Sequence, residues 1–289
     1  MSTSTSPAPR VVAPAVATAP KRGKRKPAPL RLDGTITRSS ALILSLAGFA
    51  AIGLIWTVFS ATGILNDALL PTPFAVVGRL AEQVANGQIW GDIGVSFLRI
   101  IAAFLLAAVM AIPLGILMAR IRFFEALLVP LSEFIRYMPV VAFVPLSIVW
   151  FGVDEAQKLF IIWMGTFFAL VLMVVDDVRR VPRELVEIGR TFGMSDGRVL
   201  SRIVWRGAFP GIWDSLRLAM GWCWTWLLVS EVVAASSGLG YRINLAKRFL
   251  DTELIIGYII VLGLLGLILD QALRFAGRKM FSYLGKGRS

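Results

Sequence analysis

The chain has 289 residues, 57% of them apolar and 17% charged, with a formal net charge of +12. Positive mean hydropathy and long uncharged runs exclude an ordinary water-soluble domain, because such runs would have only each other to face. A single cysteine, Cys223, and the lack of any histidine exclude an intramolecular disulfide and make a structural zinc or haem site a poor fit.

Residues 1–38 are rich in Ser, Thr, Pro and Ala and hold the basic run KRGKRK from Lys21 to Lys26. Such a composition cannot bury enough apolar surface to fold, so a disordered basic tail is expected, its cations meeting anionic lipid headgroups. It lacks the apolar core of a cleavable signal peptide. Residues 39–289 read as a transmembrane domain: apolar runs at about 41–60, 94–118, 127–150, 158–176, 213–235 and 254–275 each approach the roughly 20 residues a helix needs to cross a bilayer. The expected fold class is therefore an all-α, polytopic membrane protein of about six transmembrane helices.

Lys and Arg are distributed unevenly about these spans. With the N-terminus inside, 22 of the 30 fall in inside segments and 5 in outside ones. That bias places both termini and the 177–212 loop in the cytoplasm. It also accounts for the positive charge as topology, so no nucleic-acid partner is expected.

In the third span, Glu133 and Arg136 lie three residues apart and share a helical face, where they serve either as a structural ion pair or as pathway charges. Pro139 and Pro145 each remove a backbone donor and are expected to kink this span. Kinked spans often border cavities, which brings Met138, Pro139 and Trp150 forward as pathway candidates beside plain helix packing.

The loop that follows is unusually polar. In RELVEIGRTFG, Leu185, Ile188 and Phe192 recur at i, i+3 and i+7 on one helical face, while Arg183–Glu187 and Glu187–Arg190 have ion-pair spacing. Pro182 suits the start of this helix and Gly193 its left-handed end. Ser195 or Asp196 then caps a second helix, with Arg198, Arg202 and Arg206 on one side. Two readings fit this helix–hinge–helix pattern: a surface that docks a partner, or an amphipathic connector lying among headgroups.

Trp222 and Trp226 in the fifth span share a face directed at lipid or at a cavity, and Cys223 reads as a small packed side chain. Glu231, near the outer end, is either an interfacial carboxylate paired with Arg242 or Lys247 or a group lining the solute route. Beyond it, Arg242, Lys247 and Arg248 lie on an interfacial segment, as snorkelling cations or as attractors of an anion.

The polar loop resembles the EAA loop of permease subunits of bacterial ATP-binding-cassette importers. Glu187, Ile188 and Gly189 stand where Glu-Ala-Ala is expected and Gly193 at the pattern's glycine, although both alanines are replaced and Trp205 and Arg206 stand where Leu-Pro is usual. LPTPFAVVGRL from Leu70, SFLRIIAAFLLAAVMAIPLGILMA from Ser96, IRYMPVVAFVPLSIVWFGVDEAQK from Ile135 and SEVVAASSGLGYRINLAKRFL from Ser230 are similar to the subfamily of nitrate, sulfonate, taurine and bicarbonate permeases. The resemblance implies a type I importer permease fold, the MetI-like fold, in a bacterial inner membrane. It implies a homodimer with two ABC ATPase subunits and a periplasmic solute-binding protein, moving a small solute such as an oxyanion. ATPase coupling would fall to Glu184, Glu187, Gly189, Arg190, Phe192, Gly193 and Met194. The candidate pathway comprises Glu133, Arg136, Met138, Pro139, Trp222, Trp226 and Glu231.

No Gly-x-x-x-x-Gly-Lys-Ser/Thr loop occurs, so the chain is not expected to be an enzyme or to hold a cofactor. ATP and magnesium belong on the partner subunits. An ion-coupled secondary transporter would carry more mid-span ionisable groups, and a non-transporting scaffold would not carry the ordered subfamily pattern.

Overall fold

A computed structural model of the chain describes residues 37–282 apart from Leu65 and Asp67, with Arg38 as backbone only. The expected basic tail lies outside the described residues. All regular structure among the described residues is helical: α1 Arg38–Ala61, α2 Pro73–Ala85, α3 Gln88–Arg120, α4 Arg122–Arg136, a 3-10 turn Val140–Ala142, α5 Phe143–Phe151, α6 Glu155–Arg179, α7 Arg183–Thr191, α8 Asp196–Val199, a π-helical turn Leu200–Val204, α9 Trp205–Ala234, α10 Leu239–Arg248 and α11 Thr252–Met280.

The chain divides into two compact units, ending at Ile55 and beginning at Trp56. In the first, Leu42, Phe49, Ile52 and Leu54 expose apolar surface around α1. An apolar helix without a polar face suits a lipid surround.

The second unit is built on α3, α6 and α9. On α3, Ala103, Ala107, Ala111 and Gly115 recur every four residues and are all buried. Small residues at this spacing let two backbones approach closely, which in lipid replaces the hydrophobic drive that water would supply. At Gly115 a Cβ would fall 2.6 Å from Val174 Cγ1 and 3.0 Å from the Val171 carbonyl oxygen. Val171, Val174, Val175 and Val178 of α6 complete that seam, and Ala208, Ile212, Ala219 and Leu227 of α9 extend it into one core. Cys223 lies in the same core, its sulfur 3.4 Å from Thr166 Oγ1, as a small packed residue.

A smaller helix, α2, braces the end opposite α7 against the start of α11. Thr72 Oγ1 accepts the Ala75 N–H at 3.2 Å and Pro73 opens α2, whose Leu80 occupies the space that a side chain at Gly257 of α11 would need. Arg79 of α2 reaches Asp251 at 3.0 Å, and Asp251 caps α11 by accepting the Leu254 N–H. Glu82 and Asp251 together hold the Arg79 guanidinium in its charged form, raising its pKa.

Among the described residues four helices, α1, α3, α6 and α11, are individually long and apolar enough to cross a bilayer; counting each bent pair, α4–α5 and α9–α10, as one span gives up to six. The third expected span is not one kinked helix. It breaks after Arg136 into two pieces at 81°. Pro139 lacks an N–H and pushes Met138 out of the helical region, so α4 ends on tightened bonds from Tyr137 and Met138 to Phe134 and Ile135. Pro145, expected to add a second kink, sits in the first turn of α5, where a missing N–H costs nothing.

Candidate functional site

At one end of the second unit the chain leaves α6, forms α7, turns, and enters α8 and α9. The turn follows from backbone chemistry. Gly193 takes φ +72°, a conformation that crowds any Cβ; its N–H donates to the Arg190 carbonyl at 2.9 Å, and the Met194 N–H donates to the Gly189 carbonyl at 3.1 Å. These two bonds satisfy carbonyls that the helix end would leave open. Arg190 then closes the turn through Asp196, at 3.0 Å. This differs from the expected pairing within α7, since among the described residues Glu187 takes part in no ion pair with Arg183 or Arg190. The longer-range partner wins because the turn folds Asp196 back beside Arg190.

Gly189 explains one departure from the expected loop pattern. It is the one buried residue of α7. A Cβ there would meet Ile203 Cδ1 at 2.5 Å and Val199 Cγ2 at 3.4 Å, so α7 seats directly on the α8–π segment. The opposite outcome holds for Leu185, Ile188 and Phe192, which are 45%, 52% and 82% exposed. A short helix thus rests on the body through its smallest residue and turns a continuous apolar stripe outward. Ser195 stands at the N-cap of α8 without a side-chain cap bond, and Arg198, Arg202 and Arg206 are exposed beyond it.

The other end holds a buried polar cluster. Arg99 of α3 and Glu231 of α9, with side chains 3% and 0% exposed, pair at 2.7 Å. Glu231 also accepts the Ser96 hydroxyl at 2.8 Å and the Gly240 N–H at 2.8 Å. Arg99 donates further to Glu155 of α6 at 2.5 Å and to the Ser237 carbonyl at 2.7 Å. Asp92 accepts from the Gly238 N–H and from Arg242, at 3.1 and 2.6 Å. Gly238 and Gly240 are needed here because a Cβ on either would run into the Glu231 side chain. The cluster fixes the 235–240 segment directly to α3 and α9 and, through Arg99, to Glu155 of α6.

Glu231 therefore pairs with Arg99, not with Arg242 or Lys247 as its position near them suggested; burial on the inner face of α9 points it at α3, while Arg242 is drawn to Asp92. Asp92, Ser96 and Glu155 were not singled out from sequence. Asp92, Ser96 and Arg99 do recur at i, i+4 and i+7 within an apolar helix, a polar stripe that signals a buried partner.

The remaining pathway candidates do not converge. Arg136 does not pair with Glu133; its Nη2 donates to Tyr137 Oη at 3.0 Å and its guanidinium lies 4.9 Å from that ring. Both residues lie in the last turns of α4, and Arg136, its final residue, turns its guanidinium to the neighbouring Tyr137 instead. Met138 is half-buried and Pro139 exposed. Trp226 packs over Gly165 of α6, whereas Trp222 is 39% exposed.

Residues 111–282 match the family described as the inner membrane component of binding-protein-dependent transport systems. The chain is 34% identical over 243 residues to a protein of Brucella melitensis biotype 1 named "Probable ABC transporter permease protein", covering 84% of this chain and 98% of that one. It is 27% identical over 253 residues to the taurine transport system permease protein of Escherichia coli (strain K12), covering 86% and 92%. A chain from the inward-facing MetNI methionine ABC transporter superposes with a TM-score of 0.57 at 16% identity, covering 68% of this chain and 95% of that chain. That likeness is one of fold.

Proposed function

Because the chain belongs to the family of binding-protein-dependent transport system inner membrane components, we propose that it forms one half of a solute pathway and is driven by ATPase subunits docked on α7. The outward stripe of Leu185, Ile188 and Phe192 carries this reading. A free α7 exposes large apolar side chains beside charged ones, which suits a protein partner and gives a lone surface helix no advantage. Fully burying one such side chain contributes roughly 1.5–3 kcal/mol. Seating on Gly189 lets α7 pass a push to the body without buckling.

In the assembly we propose, two copies of the chain pair in a bacterial inner membrane with both termini cytoplasmic. The excess of Lys and Arg on the α7 side supports that orientation. Two ABC ATPase subunits bind ATP and magnesium, and a periplasmic solute-binding protein delivers the solute to the other side. The chain's own part is conformational: it transmits force and encloses the path. A small oxyanion is the solute class we favour, supported by the relative named for taurine, whose acid group is a sulfonate.

The decisive experiment is co-purification with the ATPase subunits. Ile188→Asp with Phe192→Asp is expected to leave membrane insertion intact and to remove the ATPase subunits from the complex. Full retention with unchanged solute-stimulated hydrolysis would defeat the docking role. A thermal-shift solute screen on the cognate binding protein tests the solute class, and stabilisation by cations alone would exclude an oxyanion.

A further inference from the structure

The outward stripe is only one side of α7. Arg183, Val186, Glu187 and Arg190 recur at i, i+3, i+4 and i+7, and at about 100° per residue this second stripe lies roughly opposite Leu185, Ile188 and Phe192. It faces a cavity of about 500 Å³ between α7, the end of α3 and the α8–π segment. Ile116, Leu117, Val199 and Leu200 give that cavity an apolar wall, and Arg120 and Asp196 complete its charged lining.

The charges in the lining are unevenly answered. Arg190 is held by Asp196. Arg120 donates through Nη2 to the Val178 carbonyl at 2.8 Å, capping the end of α6, but its buried Nε has no hydrogen-bond partner among the described residues. Among the described residues neither Arg120 nor Arg183 takes part in an ion pair, and the charge of Arg183 acts repulsively on Arg120. Three arginines against two carboxylates leave the lining one positive charge in excess. A phosphodiester carries one negative charge, which would neutralise it. Inorganic phosphate carries more charge and no apolar part to lie along Ile116 and Leu117.

We propose that this cavity takes the headgroup of an anionic phospholipid, its phosphodiester between Arg120 and Arg183 and its acyl chain along α3. Occupancy braces α7 from behind. The bracing rests on the docking reading given above, whereas the binding does not. The end of α3 suits such a ligand: an apolar helix of 33 residues finishes in Arg120, with Arg122 just beyond, the arrangement that sits at headgroup level.

The test uses the intact chain purified with its ATPase subunits in neutral detergent and dioleoyl phosphatidylglycerol, with phosphatidylethanolamine of the same acyl chains and inorganic phosphate as comparisons. Native mass spectrometry should find one retained phosphatidylglycerol per chain. Retention should fall at least fivefold in Arg183→Gln, an exposed position that the fold does not need, and in Arg120→Gln. Equal retention in wild type and Arg183→Gln, or equal retention of phosphatidylethanolamine, would overturn the site. Heat protection by inorganic phosphate that matches the lipid and depends on Arg183 would keep an anion site and overturn its lipid source. ATP hydrolysis by the complex should rise with phosphatidylglycerol in wild type and not in Arg183→Gln. Lipid bound without effect on hydrolysis overturns the bracing alone, and loss of the ATPase subunits from Ile188→Asp leaves the lipid count unchanged.

Discussion

An alanine at position 193 would have to hold φ near +72°, where its Cβ crowds the adjoining carbonyl at a cost of roughly 1–2 kcal/mol. Gly193→Ala is therefore expected to loosen the α7 turn and weaken coupling while the chain still inserts, measurable as reduced solute-stimulated hydrolysis at normal expression. Gly189→Leu acts by volume: the new side chain collides with Ile203, so α7 should lift from its seat and lose ATPase association. At the other end, Arg99→Met strands the buried Glu231 carboxylate with only the Ser96 hydroxyl and the Gly240 N–H. Removing one partner of a buried pair costs roughly 3–5 kcal/mol, so a large fall in the thermal unfolding midpoint in detergent is expected. Adding Glu231→Gln to Arg99→Met should recover much of it, since no charge then remains unpaired. A double variant as unstable as the single one would count against the ion pair as the cause.

At the level of elements, α3 and α6 depend on four small residues in register. Ala107→Leu would force the two helices apart along the seam where Gly115 meets Val174, and a marked loss of folded protein in detergent is the expected outcome. Ala102→Leu, on a less buried face, should be tolerated much better. How far such elements could be read in advance follows from their physics. Apolar length is a property of single segments, so α1, α3, α6 and α11 were legible in the sequence. The glycine end of α7 was legible too, because a left-handed cap is a local requirement. The break after Arg136 was only half legible: proline reports lost hydrogen bonds but not the angle a chain takes afterwards. Partners of Glu231 were not legible, since Arg99 is far away in sequence and only helix packing brings it within 2.7 Å.

For the whole molecule, the charge asymmetry makes a direct prediction: a reporter that is active only in the cytoplasm should work when fused after residue 289, and one that is active only outside should work when inserted after Arg248. Reversed activities would invert the assembly proposed above. One geometric feature links the two ends whichever way they face. From α8 through the π turn to the end of α9 the chain stays continuously helical, with Pro210 inside α9. Ile203, under Gly189, and Glu231, in the ion cluster, lie on it about 28 residues apart, or roughly 42 Å at 1.5 Å per residue. In the assembly proposed above, this helix would act as a lever arm with its handle beneath α7. Over that length a tilt of about 5° would move the far tip by about 4 Å, more than the 2.7 Å Arg99–Glu231 contact, so the proposed docking predicts that a small stroke at α7 loosens the ion cluster.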